Sequence, residues 1–86
     1  MRKFPLTISS PDGAIFSGEA ECIMLRGTEG EFAVMAGHTP FVTSVVPCQC
    51  KVMLDEETKK MGRTDGGILT VSADGVVLLS GSFAWE

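Results

Sequence analysis

Glycine and proline interrupt this sequence so often that almost no stretch is long enough for a helix of ordinary length. The chain has 86 residues, of which ten are glycine and four are proline. Both residue types disfavour the interior of a helix, and both are common in turns. The sequence therefore predicts short extended segments connected by tight turns.

Apolar and polar residues alternate between these interruptions, as they do in half-buried strands. Phe4, Leu6 and Ile8, for example, alternate with polar or turn-forming neighbours. Many short strands in so small a chain must stack or close on themselves to protect their edges. We predict a single all-β domain over residues 1–86, a small β-sandwich or flattened barrel of about eight to ten short, mostly antiparallel strands.

An Asp-Gly pair predicts a hairpin near the C-terminus. Asp74-Gly75 lies between the β-branched and aliphatic runs 68–71 and 76–79. A type I′ turn needs positive φ at both central residues, and Asp-Gly supplies them readily. We therefore expect a type I′ turn at this pair.

One segment is compatible with either a helix or a hairpin. Residues 48–61 contain neither glycine nor proline, and Glu56 and Lys60 have the spacing of a helical ion pair. However, the apolar residues at positions 48, 50, 52 and 54 recur with a period of two, and a helix would scatter them around its circumference. This alternation favours a hairpin whose tip lies near residues 55–58.

Net charge and hydropathy limit the classes of partner. The formal net charge is −4, whereas binding to nucleic acid requires clustered Lys and Arg. No apolar run approaches the roughly 20 residues that cross a bilayer, and no apolar segment follows the charged N-terminus as in an export signal. We expect a cytoplasmic-side domain that neither binds nucleic acid nor inserts into a membrane.

The residues that could carry chemistry do not form a recognisable catalytic motif. His38 is the single histidine, no serine lies in a nucleophile-elbow pattern, and no glycine-rich loop leads into a helix. We predict no enzymatic activity, no catalytic residue and no cofactor.

The three cysteines allow two interpretations. Cys48 and Cys50 would share one strand face, and the odd cysteine count without an export signal indicates reduced thiols. Buried packing is the favoured role, with no metal bound. The alternative is a thiol- or metal-handling module that uses Cys22, Cys48, Cys50 and His38.

Four acidic residues lie close together in the sequence. Glu19 and Glu21 would share the solvated face of a strand, whereas Glu29 and Glu31 flank Gly30 and are predicted to lie in a loop. Charge alone leaves two readings open for this loop, a solvated turn and a surface that contacts a basic partner.

Four segments together resemble the epsilon subunit of F-type ATP synthases. The most specific is Gly27-Thr28-Glu29-Gly30-Glu31-Phe32-Ala33-Val34-Met35-Ala36-Gly37-His38-Thr39-Pro40. Three other segments occur in the family's order and spacing. They are Ile15-Phe16-Ser17-Gly18-Glu19, which precedes the first segment, and Gly66-Gly67-Ile68-Leu69-Thr70-Val71 and Val76-Val77-Leu78-Leu79, which come after it. The resemblance covers residues 4–80 and departs from the family pattern at Ala33, Ala36, Cys48 and Asp65.

The resemblance implies a non-catalytic rotor domain that contacts two other subunits. The family's N-terminal β-sandwich lies at the foot of the central stalk, against the gamma subunit and the polar loops of the c-ring. Carried over to this sequence, Glu29, Gly30, Glu31 and His38 would face the c-ring. Gamma would contact one sheet face and an edge, whose residues the sequence does not identify.

The same resemblance leads to an expected cellular location and an expected tendency to self-associate. It implies a peripheral position on the cytoplasmic face of a bacterial plasma membrane, in a complex that translocates protons or sodium ions. Without its partners, the domain is expected to self-associate through an exposed apolar patch.

The family's C-terminal helical hairpin has no counterpart in this sequence, which ends at Glu86. That hairpin is associated with inhibition of ATP hydrolysis and, in some members, with ATP binding. The resemblance therefore implies neither role for residues 1–86.

Overall fold

A computed structural model describes residues 2–86, and this part of the chain consists of strands connected by turns, with no helix. The predicted all-β fold is confirmed. The ten strands are β1 (Phe4–Ser10), β2 (Gly13–Ala20), β3 (Cys22–Gly27), β4 (Gly30–Met35), β5 (Phe41–Val45), β6 (Cys48–Met53), β7 (Lys59–Thr64), β8 (Gly67–Ser72), β9 (Gly75–Ser80) and β10 (Phe83–Trp85).

The strands form two five-stranded sheets. Sheet A has the order β2-β1-β9-β8-β5, and sheet B has the order β10-β7-β6-β3-β4. Every pairing is antiparallel except that of β1 with β9, which is parallel. The predicted sandwich with mostly antiparallel strands is therefore confirmed.

The core lies between the two sheets and is filled by the inward positions of each strand. Leu6, Ile8, Leu69 and Leu78 from sheet A and Ile23 from sheet B are almost completely buried. Burial of each such side chain contributes about 1.5–3 kcal/mol. Because side chains alternate along a strand, the remaining positions form two outer faces that the core does not constrain.

The hairpin predicted at Asp74-Gly75 forms, but its turn lies one residue earlier than expected. Ser72 is opposite Gly75, so Ala73 and Asp74 are the loop residues. The Ser72 hydroxyl accepts a hydrogen bond from the Asp74 N–H at 3.2 Å. Gly75 has φ of 137°, and within residues 2–86 only glycines have positive φ. The predicted type I′ turn is therefore wrong, because that turn requires positive φ at Asp74.

The ambiguous segment 48–61 is a hairpin, as its alternation predicted. Strands β6 and β7 pair from Cys48 opposite Thr64 to Met53 opposite Lys59. At the tip, one oxygen of the Asp55 carboxylate accepts hydrogen bonds from the backbone N–H groups of Glu57 at 2.9 Å and Thr58 at 2.8 Å. These hydrogen bonds lower the pKa of Asp55, and the one from the Glu57 N–H has the largest effect.

Glu21 is not on a solvated strand face. Strand β2 ends at Ala20, and Glu21 occupies the bend that carries the chain from sheet A to sheet B. Its backbone N–H donates to the Met53 carbonyl at 2.7 Å, and its side chain is buried. Glu19 is exposed as expected, but the bend removes the alternation that would have given the two residues one face.

Residues 2–86 form no helix that could span a membrane.

Candidate partner-binding surfaces

Three of the four residues expected to face the c-ring lie at the start of β4. Glu29 is in the two-residue turn between β3 and β4, and Gly30 begins β4 with φ of 124°. Glu31 is part of β4 itself and lies opposite Arg26, so its predicted loop position is wrong. The Glu31 carboxylate lies 3.6 Å from the Arg26 guanidinium, and both side chains are exposed. An exposed pair of this kind contributes little to stability and exchanges partners readily.

His38 lies beyond the other end of β4. Its backbone N–H donates to the Met35 carbonyl at 3.2 Å, and its ring lies 4.9 Å from the ring of Phe41. Its Nδ1 is 2.8 Å from the Thr39 carbonyl oxygen. Five residue steps of β4 separate Gly30 from Met35, or about 17 Å of extended strand. The structure therefore does not bring His38 together with Glu29 and Glu31.

The four residues nevertheless share one edge of the sandwich. Strand β4 is an edge of sheet B and β5 is an edge of sheet A. The two edges lie together, since the Phe32 and Phe41 rings are 6.2 Å apart and the Val46 N–H donates to the Arg26 carbonyl at 3.0 Å. We call this the β4/β5 edge.

The opposite edge, formed by β2 and β10, is covered by aromatic contacts. The Phe16 and Trp85 rings are 6.1 Å apart, edge to face, and Phe83 lies 5.0 Å from Trp85. The Lys60 ammonium lies 4.4 Å from the Trp85 ring centroid, which is within cation–π range. This packing joins sheet A to sheet B on that side.

The outer face of sheet A carries a group of exposed aliphatic side chains and has no charged residue on β5, β8 or β9. Its outward positions on β5, β8 and β9 include Val42, Ile68, Val77 and Leu79, all of them exposed. Cross-strand pairs place Ile68 opposite Leu79 and Thr70 opposite Val77. We call this group of four the sheet A face. Glu19 is the one charged residue in the strands of sheet A, and it lies on β2, which β1 separates from β9.

The outer face of sheet B is instead charged and rich in methionine. Basic side chains point outward at Arg26, Lys51, Lys59 and Arg63, with Glu31 beside them. The methionines on this face are Met24, Met35, Met53 and Met61. The two outer faces of one sandwich therefore have different chemistry.

The cysteines occupy both sides of sheet B. Cys48 and Cys50 point into the core, in agreement with the predicted packing role. Cys22 is opposite both Met35 and Met53, and residues directly opposite one another share a face, so Cys22 belongs to the outer face. Burial, and secondarily the neighbouring Cys48, raises the pKa of Cys50 to about 12. Burial also raises the pKa of Cys22, although Lys51 opposes this.

The residues of the alternative thiol or metal module do not form one site. The sheet B backbone separates Cys22 from Cys48 and Cys50, and His38 lies beyond the end of β4. No group of three or more His, Cys, Asp or Glu side chains suited to a metal occurs in the described part of the chain.

Comparison with known families and proteins identifies the sandwich. A family model described as the ATP synthase delta/epsilon chain β-sandwich domain matches residues 3–86. The chain is 36% identical over 84 residues to the ATP synthase epsilon chain of Clostridium novyi, covering 98% of this chain and 64% of that relative. It is 34% identical over 82 residues to the sodium ion specific epsilon chain of Acetobacterium woodii, covering 95% and 62%. The chain belongs to the ATP synthase delta/epsilon β-sandwich family.

Solved structures resemble this delta/epsilon sandwich closely. A chain of the Euglena gracilis mitochondrial ATP synthase OSCP/F1/c-ring structure superposes with a TM-score of 0.89 at 26% identity, over 96% of this chain and 53% of that one. A chain of the Tetrahymena thermophila mitochondrial ATP synthase central stalk and c-ring has the same fold, with a TM-score of 0.81 at 13% identity and coverage of 96% and 66%. The delta/epsilon sandwich described here spans 62–64% of the length of the curated relatives that it matches.

Sequence reasoning did not identify the surface residues of this delta/epsilon sandwich. Val42, Ile68, Val77 and Leu79 are ordinary strand residues by type, and their exposure depends on which face of sheet A is covered. The outward positions of β5, β8 and β9 carry no charge, and this pattern could have indicated the surface. It can be recognised only when it is known which residues of each strand face outward.

Proposed function

We propose that this chain is the β-sandwich of the non-catalytic epsilon subunit in the central stalk of a bacterial F-type ATP synthase. In this role it connects the gamma subunit to the c-ring of a complex that translocates protons or sodium ions. It is peripheral to the cytoplasmic face of the plasma membrane. The observation that carries the proposal is the apolar, uncharged sheet A face in a chain of the delta/epsilon family.

The sheet A face is the surface that we assign to gamma. Contiguous exposed apolar patches on small soluble domains commonly mark protein-binding sites. Interface centres are depleted in charge, as this face is, because a desolvated charge must be matched by a partner. Leu79 is 54% exposed, lies opposite Ile68 on β8 and is two residues from Val77 on β9, so it adjoins two of the other three residues of the patch.

The β4/β5 edge is the surface that we assign to the c-ring. Glu29 is exposed at one end of β4 and His38 is exposed at the other, which gives two contact points at opposite ends of a strand about 17 Å long. Exposed carboxylates such as those of Glu29 and Glu31 favour polar or basic loops and steer association more than they add affinity.

A rotor contact of this kind needs a body that does not deform. The inward positions of both sheets are closely packed, and aromatic contacts close the β2/β10 edge. Interiors packed in this way transmit force with little deformation. The domain would therefore act through its surfaces, as a rigid spacer between its partners.

The test is a pull-down of the chain with the gamma subunit of the same source. A charge on the sheet A face, Leu79→Glu, is compared with Met35→Glu on the sheet B outer face, where Met35 is 51% exposed. We expect Leu79→Glu to weaken gamma binding by about tenfold or more and Met35→Glu to change it by less than about twofold. Equal binding by both variants, or greater loss in Met35→Glu, would contradict the assignment of gamma to the sheet A face.

The c-ring assignment is tested with purified c-ring in place of gamma. Glu29→Lys is expected to weaken this association at low salt, whereas Glu19→Lys, the same change near the opposite edge, is expected to leave it unchanged. Equal effects of the two reversals would contradict the β4/β5 edge as the contact.

A further inference from the structure

A cleft opens on the outer face of sheet B where the pairing of two strands stops. The β3–β6 ladder runs from Cys22 opposite Met53 to Met24 opposite Lys51 and extends no further. Beyond this point β3 turns toward β5, because the Arg26 carbonyl accepts a hydrogen bond from the Val46 N–H at 3.0 Å. The separation of the strands leaves a cleft of about 640 Å³. Its volume is within the range of small-ligand and short-peptide sites.

Three basic side chains line this cleft. Arg26, Lys51 and Arg63 come from β3, β6 and β7, and Glu31 supplies the single lining carboxylate. The lining therefore carries a formal charge of +2, from three basic groups and one acidic group, in a chain whose net charge is −4. The Arg26–Glu31 pair is exposed and 3.6 Å long, so an incoming carboxylate can compete for Arg26.

The rest of the lining is apolar or neutral. Met24, Ala33 and Pro47 contribute apolar surface, and the small Ala33 side chain leaves room beside Met24, its cross-strand neighbour. Gln49 adds an amide, which donates to the Glu86 carboxylate at 2.7 Å. A ligand that matches this cleft therefore needs an apolar group flanked by carboxylates.

We infer that this cleft binds a short acidic segment of a partner protein. An apolar side chain of the segment packs against Met24 and Ala33, and flanking carboxylates pair with Arg26, Lys51 and Arg63. Arginine suits such a site, because its planar guanidinium binds carboxylate in a bidentate way.

The overall charge favours a short peptide over an extended polyanion. A polyanionic surface would also meet the acidic hairpin tip at Asp55, Glu56 and Glu57, which lies at the far end of β6 and β7. Gln49 and its cross-strand neighbour Arg63 lie four residue steps, or about 13 Å, from the Met53 end of the ladder, which exceeds the Debye length of about 8 Å at physiological salt. Lys51 is closer, at two steps or about 7 Å from that end. A short segment held at the Gln49 and Arg63 end is therefore attracted by the nearby cations and largely screened from the tip.

This inference does not depend on the proposed function. The cleft shares Glu31 with the β4/β5 edge, but it lies on the face opposite the sheet A face, so a partner there leaves the gamma surface free. Loss of one contact is therefore distinguishable from loss of the other.

The experiment measures binding of a fluorescein-labelled peptide of four glutamates around a central leucine by fluorescence anisotropy. The variants are Lys51→Glu with Arg63→Glu in the cleft, each of these two reversals also made alone, and Lys59→Glu as a single reversal on the same sheet face outside it. We expect at least about tenfold weaker binding for the double variant and less than about twofold for Lys59→Glu. Replacing the peptide leucine by serine is expected to weaken binding, and raising the salt concentration is expected to do the same.

A gain of affinity distinguishes the cleft from general charge attraction or misfolding. Glu31→Gln removes the carboxylate that competes for Arg26, so we expect about two- to threefold tighter binding. The inference is overturned if Lys59→Glu weakens binding as much as the double variant, if Glu31→Gln gives no gain, or if the wild-type chain does not bind at millimolar peptide.

Discussion

The outer faces of sheet A and sheet B follow the same alternation but present different chemistry to a partner. Sheet A carries exposed aliphatic residues such as Ile68 and Leu79, whereas sheet B carries Arg26, Lys51 and Arg63 among methionines. The inward positions of both sheets are apolar and buried in the same way. Because outward positions contribute little to the core, their composition can differ between the faces without altering the fold.

The largest expected effect is the difference in the free energy of unfolding between substitutions on the inner and outer sides of one strand. Leu78 is completely buried and Leu79 is 54% exposed, although they are neighbours on β9. We expect Leu78→Ala to lower the free energy of unfolding by about 2–5 kcal/mol, because it leaves a cavity. Leu79→Ala should change it by less than about 1 kcal/mol.

Urea denaturation of the two variants measures this difference directly. Comparable losses in both would mean that the sheet A face is part of the folded core of the isolated chain. It would then not be free for a partner.

A smaller expected effect is the pH dependence of the free energy of unfolding, which should differ between Cys50 on the core side of sheet B and Cys22 on its outer side. Burial raises the pKa of Cys50 to about 12, above the ordinary thiol value of 9.0. Between these values the unfolded chain loses the Cys50 proton and the folded chain keeps it, so folding becomes less favourable as pH rises. The Cys50 contribution is therefore fully present below pH 9 and declines by at most about 1.4 kcal/mol per pH unit above it.

Urea denaturation of wild type and Cys50→Ala between pH 8 and pH 11 checks this contribution. The wild-type free energy of unfolding should fall more steeply above pH 9 than that of the variant. Cys22→Ala should follow the wild-type curve more closely, because Lys51 offsets part of its raised pKa. Parallel curves for wild type and Cys50→Ala would contradict the buried position of Cys50.

The smallest expected effect is self-association of the isolated chain through the sheet A face. Without gamma, its apolar residues remain in water, so weak concentration-dependent association is expected. Sedimentation analysis should detect it in the wild type and find it reduced in Val77→Lys. Lys51→Glu, on the other face, should associate as the wild type does. Association that depends on Lys51 instead would assign it to the sheet B face.

Local patterns were sufficient to predict the strands. The period-two recurrence at Cys48, Cys50 and Val52 outweighed the helical spacing of Glu56 and Lys60, and the hairpin formed as expected. Alternation is a reliable signal here because one face of each strand is buried. The same signal predicted that Cys48 and Cys50 would pack in the core.

Predictions failed where tertiary contacts determined the local geometry. Glu21 is buried because the chain bends from one sheet to the other directly after Ala20. The turn before Gly75 uses a hydrogen bond from the Asp74 N–H to the Ser72 hydroxyl, and a Cβ at Gly75 would lie 2.7 Å from the Pro5 carbonyl oxygen. The Ser72–Asp74 hydrogen bond is local, whereas the bend at Glu21 and the approach of Pro5 to Gly75 are not visible in the local sequence.

The candidate surfaces were less predictable than the fold. The cleft collects Arg26, Lys51 and Arg63 from three strands, and it exists because the β3–β6 ladder ends early. The sheet A face likewise requires knowledge of strand order as well as phase. The family motif lies along the β4/β5 edge. The position of Glu31 beside Gly30 predicted a loop, whereas the structure places Glu31 in β4, opposite Arg26.

Methyl NMR of the labelled chain during titration with the gamma subunit tests the assignment of gamma to the sheet A face most directly. Both faces carry methyl groups, at Val42, Ile68, Val77 and Leu79 on sheet A and at Met24, Met35, Met53 and Met61 on sheet B. We expect the four sheet A signals to shift or broaden while the Met35 and Met53 signals stay unchanged. Changes confined to the methionine signals would contradict the assignment of gamma to the sheet A face.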